Sequence, residues 1–106
     1  MIAVRWTEAA SAFSALGSEA RLQVLRTLVR AGPQGLTVGE IQERTGMALS
    51  TLAHHLKFLV AGDVIEQIRE GRSTLNRASF ERLEVIAGFI LSECCVDENQ
   101  QDASHG

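Results

Sequence analysis

Two adjacent thiols and one row of polar side chains are the features of this sequence best placed to do chemistry. Cys94 and Cys95 stand side by side. Soft thiolates prefer soft ions, so neighbouring cysteines suit a thiophilic centre; the same pair also fits a redox switch, or two incidental small apolar residues. Along STLAHHLKFLVA (residues 50–61), Leu52, Leu56, Leu59 and Val60 share one side of a helical wheel, and Ser50, Thr51, His54 and Lys57 fall on the other. Leucines inward with hydroxyls, an imidazole and an ammonium outward are what a helix laid in a DNA major groove needs. An ordinary amphipathic helix with a solvated face carries the same pattern. The three histidines do not make a metal site, because His54 and His55 share that helix and His105 lies in the polar C-terminal stretch. No Ser/His/Asp set, carboxylate pair or phosphate loop is legible, so an enzyme is not expected.

The elements that must position these groups follow from local signals. Thr37 with Glu40 three residues later is a capping box, which opens a helix. Gly46 stops that helix in the left-handed conformation that glycine adopts freely. The polar-faced helix resumes within about four residues, the length of the turn in a helix-turn-helix. Upstream, residues 7–16 are alanine-rich and predict a helix with Trp6, Ala10, Phe13 and Leu16 as its apolar seam, ended by Gly17. Ser18 caps a second helix, along which Leu22, Leu25, Leu28 and Val29 recur until Gly32-Pro33. Residues 34–36 are a connection. Downstream, Val64, Glu66, Ile68 and Glu70 alternate apolar and charged, which is strand periodicity. Gly71-Arg72-Ser73 turns the chain, and residues 74–78 return as a second strand. A hairpin tipped by Arg72 after such a helix reads as a wing that meets phosphates or a minor groove, the alternative being a solvent hairpin without function.

Ser79 is expected to cap a last helix reaching about Cys95. Phe80, Leu83, Ile86, Ala87, Ile90, Leu91 and Cys94 recur along it at spacings of three and four, broadened by Val85 and Phe89. That stripe exceeds what one shallow domain can cover, which predicts a dimer interface of Phe13, Leu83, Ile86, Ala87 and Ile90; the alternative is a helix that simply caps the subunit's own core. From Val96 the chain is acidic and polar, a disordered tail by composition. The division is therefore a DNA-binding and dimerisation domain over residues 1–95 and a tail over 96–106.

A chain of 106 residues, 45% of them apolar, forms one small domain with a thin core. No membrane span and no basic-then-apolar leader is present in its pattern, which predicts a cytoplasmic protein with reduced cysteines. The net charge of −3 is unusual for a DNA binder. Four carboxylates, Glu93, Asp97, Glu98 and Asp102, fall in the final stretch, and without them residues 1–92 carry a net +1. Between Arg44 and Arg77, five basic residues (Arg44, Lys57, Arg69, Arg72, Arg77) face three acidic ones (Asp63, Glu66, Glu70). Phosphate affinity per subunit should be modest, and two subunits acting together are needed.

The pieces LGSEARLQVLRTLV (residues 16–29), LTVGEIQERTGM (36–47), STLAHHLKFLVAGDVI (50–65) and REGRSTLNRAS (69–79) resemble the ArsR/SmtB family of winged-helix repressors. The resemblance implies a mainly α fold with a small β-hairpin, in the order α-α-α-α-β-β-α. It also implies a homodimer joined through its terminal helices on a palindromic duplex operator. Ser50, Thr51, His54 and Lys57 would face bases and phosphates, and Arg72 would sit on the wing. Relatives often open the recognition helix with a polar cap followed by glutamine; Ala48 and Leu49 stand there here. Losing such a cap costs about 1 kcal/mol, and Leu49 can meet only thymine methyls. His55, at the edge of the apolar face, is expected to be packed or backbone-bonded.

The resemblance also bears on sensing. The Cys-x-Cys box before the turn is missing, since residues 38–41 hold no thiol, and residues 79–95 lack the histidine of the zinc site. Cys94-Cys95 resembles the pair ending the last helix in arsenite-responsive relatives, which implies arsenic(III) or antimony(III) as inducer. Those relatives supply a third cysteine; Asp97, Glu98 and His105 stand downstream here. The competing readings are a thiol-oxidation or persulfide switch on the same fold, and a winged-helix protein-interaction module that does not bind DNA.

Overall fold

Capping chemistry and glycines set most of the boundaries. The computed structural model describes residues 4–98. Its elements are helices α1 (Trp6–Ala15), α2 (Glu19–Ala31), α3 (Val38–Thr45) and α4 (Leu49–Ala61), strands β1 (Ile65–Glu70) and β2 (Ser73–Ala78), and helix α5 (Phe80–Phe89). The capping box at the start of α3 is formed: the Glu40 amide donates to Thr37 Oγ1 at 3.2 Å, and the Thr37 amide donates to the Glu40 carboxylate at 2.9 Å. Those hydrogen bonds hold the Glu40 carboxyl below its ordinary pKa. Gly46 closes α3 at φ 74, and a three-residue turn at 46–48 leads into α4. Ser18 caps α2 by accepting from the Arg21 amide.

The strands form one antiparallel hairpin running from the pair Ile65↔Ala78 to Glu70↔Ser73. Its two-residue turn, Gly71-Arg72, has Gly71 at φ 61, as the primed hairpin turns require. A third piece of backbone joins it. Leu36 bridges to Asn76, with amide-to-carbonyl hydrogen bonds of 2.7 and 2.8 Å in the two directions. Asn76 is fully buried, and its side chain donates to the Leu36 carbonyl while accepting from Gln67 Nε2. Gly35, at φ 75, allows this approach, since a Cβ there would stand 2.7 Å from the Asn76 carbonyl oxygen. The stretch expected to be a plain connection thus anchors the wing to the helices.

The core gathers Val24, Leu25 and Leu28 of α2, Ile41 of α3, Leu52, Leu56 and Leu59 of α4, with Leu36, Val64, Ile65, Ala78 and Ile86. Helix α1 corrects the expected seam. Ala9, Ala12 and Ala15 face inward, while Trp6 is 81% exposed and Ala10 and Phe13 also face solvent. The reason is steric: a Cβ on Gly62, at the end of α4, would lie 2.5 Å from Ala15 Cβ, an approach that only small residues permit. Large side chains are left for the opposite face. In α2, Val24 takes the buried place expected of Leu22 and Val29, both largely exposed, and Val60 of α4 is exposed as well.

Helix α5 is shorter than expected and ends at Phe89 instead of near Cys95. Its Ser79 N-cap makes no side-chain hydrogen bond. Beyond Gly88, which weakens a helix by about 1 kcal/mol relative to alanine, Ser92 Oγ competes for the Phe89 carbonyl at 2.8 Å. The chain then proceeds in turns through residues 90–95, with helical backbone again at 96–98. Ile86, expected on the dimer stripe, lies in the subunit's own core at 2% exposure, and Leu83 packs partly against that core. Ala87 and Ile90 are exposed. The tail expected to be disordered falls, for residues 99–106 and hence Asp102 and His105, outside the described residues. Arg82 of α5 ties three elements together, donating to Asp63 at 2.9 Å and Glu8 at 3.2 Å.

These contacts make two stability predictions. Gly62 has an ordinary φ of −80, so an alanine would gain roughly 0.4–1 kcal/mol from a stiffer unfolded chain, but overpacking against Ala15 costs about 1–3 kcal/mol. Gly62→Ala should therefore lower the thermal midpoint by several degrees in a calorimetric scan. Ala48→Ser, at an N-cap with no side-chain hydrogen bond, should raise stability by about 1 kcal/mol.

Candidate nucleic-acid interface and the thiol pair

Helix α4 is held by its leucines and presents the opposite face to solvent. Leu52, Leu56 and Leu59 are buried, whereas Ser50, Thr51, His54 and Lys57 are all exposed. The four therefore form one polar row on a helix held in the core by three buried leucines. Leu49, at the helix start, is exposed beside them.

Phe58 orders this row, and the sequence reading did not single it out. The His54 ring meets it edge-on with centroids 4.8 Å apart, and the Arg21 guanidinium lies 4.7 Å from its ring centroid. Arg21 is fixed in turn, donating from Nε to the Ala15 carbonyl at 2.6 Å and from Nη2 to the Ser14 carbonyl at 3.2 Å. It satisfies the last carbonyls of α1, where a cation is also favoured by the helix dipole. The spacing from Arg21 to Phe58 left no local signal by which to find the pair.

His55 is packed, as one of its two expected settings had it, and its Nδ1 is buried without a partner rather than bonded to backbone. Burial pushes its pKa down from the ordinary 6.5, with the charges of Arg21 and His54 adding to the effect. The folded state thus prefers the neutral imidazole. Stability is complete above about pH 6.5 and is lost as pH falls from there through the lower folded value. Thermal midpoints measured across pH 5 to 8 should show that acid slope, and His55→Gln should flatten it.

Arg72 projects from the wing tip, exposed, beside Arg69, whose Nε donates to the Gly71 carbonyl at 3.3 Å. Arg77 is different. It pairs across the hairpin with Glu66 at 2.8 Å, so its charge is already balanced.

The thiols lie past the end of α5. Both are exposed, with their sulfurs 3.1 Å apart, and Cys95 takes a left-handed φ of 64. The Cys94 sulfur beside it, then burial, then Glu98 push the Cys95 thiol up from its ordinary pKa. A raised pKa means less thiolate and slower oxidation. Among the described residues no three His, Cys, Asp or Glu side chains cluster as a metal site, so the pair offers two donors.

Comparison with known proteins places this geometry. Residues 16–68 match the family model described as a helix-turn-helix domain, half of the chain. No curated protein matches. Among solved structures, an ArsR-like transcriptional regulator from Rhodococcus sp. RHA1 is 26% identical over 93% of this chain and 90% of its own, with a TM-score of 0.76. A possible transcriptional regulatory protein from Mycobacterium bovis is 33% identical over 86% of this chain and 92% of its own, with a TM-score of 0.64. A solution structure of that same 1–100 fragment, Mb0332, described as a homodimeric winged helix-turn-helix DNA-binding domain of a possible ArsR-family regulator, aligns at 28% identity over 89% of this chain and 93% of its own, with a TM-score of 0.63. These relatives are described as regulators or possible regulators of transcription. On this footing the chain belongs to the helix-turn-helix domain family, as a winged helix-turn-helix transcriptional regulator of the ArsR type.

Proposed function

We propose that this regulator is a homodimeric repressor of a palindromic operator, released when a trivalent metalloid, arsenite or antimonite, binds Cys94 and Cys95. The DNA half of the reading is carried by one observation: Ser50, Thr51, His54 and Lys57 form an unobstructed row on a leucine-anchored helix. Arg72 on the wing adds a phosphate contact to each half-site. Because the cations per subunit are few, two subunits engage half-sites about 34 Å apart and gain affinity jointly. No helix among the described residues is long and apolar enough to cross a membrane, and the proposed place of action is the cytoplasm.

Dimerisation is supported by the outward face of α1 and the segment after α5. Trp6, Phe13, Ile90 and Leu91 are exposed there, and Trp6 meets Phe89 edge-on at 5.1 Å, so the two segments present one apolar surface. Phe13, Ala87 and Ile90 are the expected interface residues that face outward, and Leu83 contributes at its margin. Mb0332, described as homodimeric, supports pairing as such.

For the inducer, two exposed thiols on one short turn suit a soft trivalent centre. A free thiol, a hydroxide or a cysteine of the second subunit completes its coordination. The raised pKa of Cys95 leaves less thiolate for oxidation and for a metalloid alike, so the two readings are separated by experiment. Because the thiols adjoin the apolar segment, binding there alters how the subunits meet and hence the spacing of the recognition helices. A coupling of about 1–3 kcal/mol is enough to lower operator affinity 5- to 150-fold.

Fluorescence anisotropy on duplexes selected from random sequence tests both halves. Lys57→Gln with Arg72→Gln should weaken binding at least tenfold, and unchanged affinity would refute the interface. Arsenite under reductant should release the wild type but not Cys94→Ser/Cys95→Ser; equal release would refute the sensor.

A further inference from the structure

A groove between α2 and α3 has no role in the reading above. It encloses about 640 Å³ and is lined by Gln23, Arg26, Thr27 and Arg30 of α2 and by Arg44 and Thr45 of α3. Three guanidiniums line one cleft with no carboxylate. None of the three forms an ion pair among the described residues, where the pairs involve Arg5, Arg77 and Arg82. The two threonines do not supply a counter-charge, since their hydroxyls donate to the Gln23 and Ile41 carbonyls. Each guanidinium keeps planar, forked N–H donors, the geometry that matches phosphate oxygens in bidentate fashion. Three like charges in one groove repel, and a polyanion relieves that repulsion.

We infer that this groove is a phosphate-binding site and that its occupant is the backbone of the duplex flanking the base-reading helix. The inference rests on the DNA-binding reading and extends it. What ties the groove to DNA is its place in the chain. Thr45 is the last residue of α3, its hydroxyl accepts from the Met47 amide at 3.3 Å, and the turn at 46–48 runs directly into Leu49, the start of α4. Four Cα steps span at most about 15 Å, so the α3 wall of the groove lies within that distance of the start of α4, close enough for one duplex backbone to reach both. The groove also resolves the shortage of cations. Within residues 37–79, Arg44, Lys57, Arg69 and Arg72 are exposed and form no ion pair among the described residues, and Arg26 and Arg30 raise that number from four to six per subunit.

The test uses the full chain and four variants: Arg26→Gln, Arg30→Gln, Arg44→Gln and the triple substitution. Thermal midpoints confirm that each is folded. Affinity is measured by anisotropy across salt concentrations for a selected and a scrambled duplex, and inorganic tripolyphosphate is titrated separately. The proposal expects the slope of log affinity against log salt to become shallower by about 0.9 for each phosphate contact removed. It expects equal proportional losses on both duplexes, because backbone contacts carry no sequence information, and Arg44→Lys should retain most of the slope. Unchanged slope and affinity in the triple variant would overturn the duplex assignment. If tripolyphosphate then still stabilises the wild type but not the triple variant, the site is a phosphate site for a free anion and the backbone claim is wrong. If it stabilises neither, the phosphate site itself is refuted. A wild type that binds no duplex would refute the DNA-binding reading instead, and tripolyphosphate alone would decide the groove.

Discussion

Gly62 lacks a side chain because Ala15 occupies the space that one would need. That single approach, the end of α1 against the end of α4, decides the character of both helices. It brings the alanine face of α1 inward and consigns Trp6 and Phe13 to the surface. It also sets the C-terminal carbonyls of α1 within reach of Arg21, whose guanidinium covers Phe58 on α4. The proposed recognition helix is thus braced from behind by the helix that carries the outward apolar face. Burial is non-directional, but steric fit is not, and here fit chose which apolar residues are inside.

The same arrangement joins assembly to recognition mechanically. Trp6 and Phe89 join the first helix to the last, Arg82 links the last helix to Glu8 on α1 and Asp63 at the α4–β1 turn, and Phe58 holds His54 in the exposed row. A disturbance at the residue 90–95 turns can therefore reach α4 through packed aromatic and charged contacts. The wing is fastened twice, through Asn76 and Leu36 to the stretch between α2 and α3, and at its base by the Val64 amide donating to the Leu59 carbonyl of α4 at 3.2 Å.

Local chemistry was legible in the sequence. The Thr37–Glu40 capping box, the Gly46 stop, the leucine ladder of α4 and the hairpin with its glycine turn all have short-range causes, and the structure places them where those causes put them. Long-range steric choices were not legible. Helix α1 has an alanine face and an aromatic one; hydrophobicity favours the larger residues for the core, whereas contact with Gly62 demands the smaller. The apolar stripe past Phe89 reads as helix by spacing, but Gly88 and the Ser92 hydroxyl undo it. Asn76 looks like an ordinary hairpin residue until its partner forty positions away is known. Arg26 and Arg30 sit one helical turn apart in plain view, yet only the fold brings Arg44 to meet them.

The central claim is that two copies, joined through their terminal segments, hold paired recognition helices at the pitch of a duplex. The most direct measurement is the mass of the free protein and of its complex with a selected duplex, by sedimentation equilibrium at low salt. The account predicts twice the chain mass for the free protein and two chains on each duplex. A single-chain mass at micromolar concentration, with no complex on any duplex offered, would contradict it.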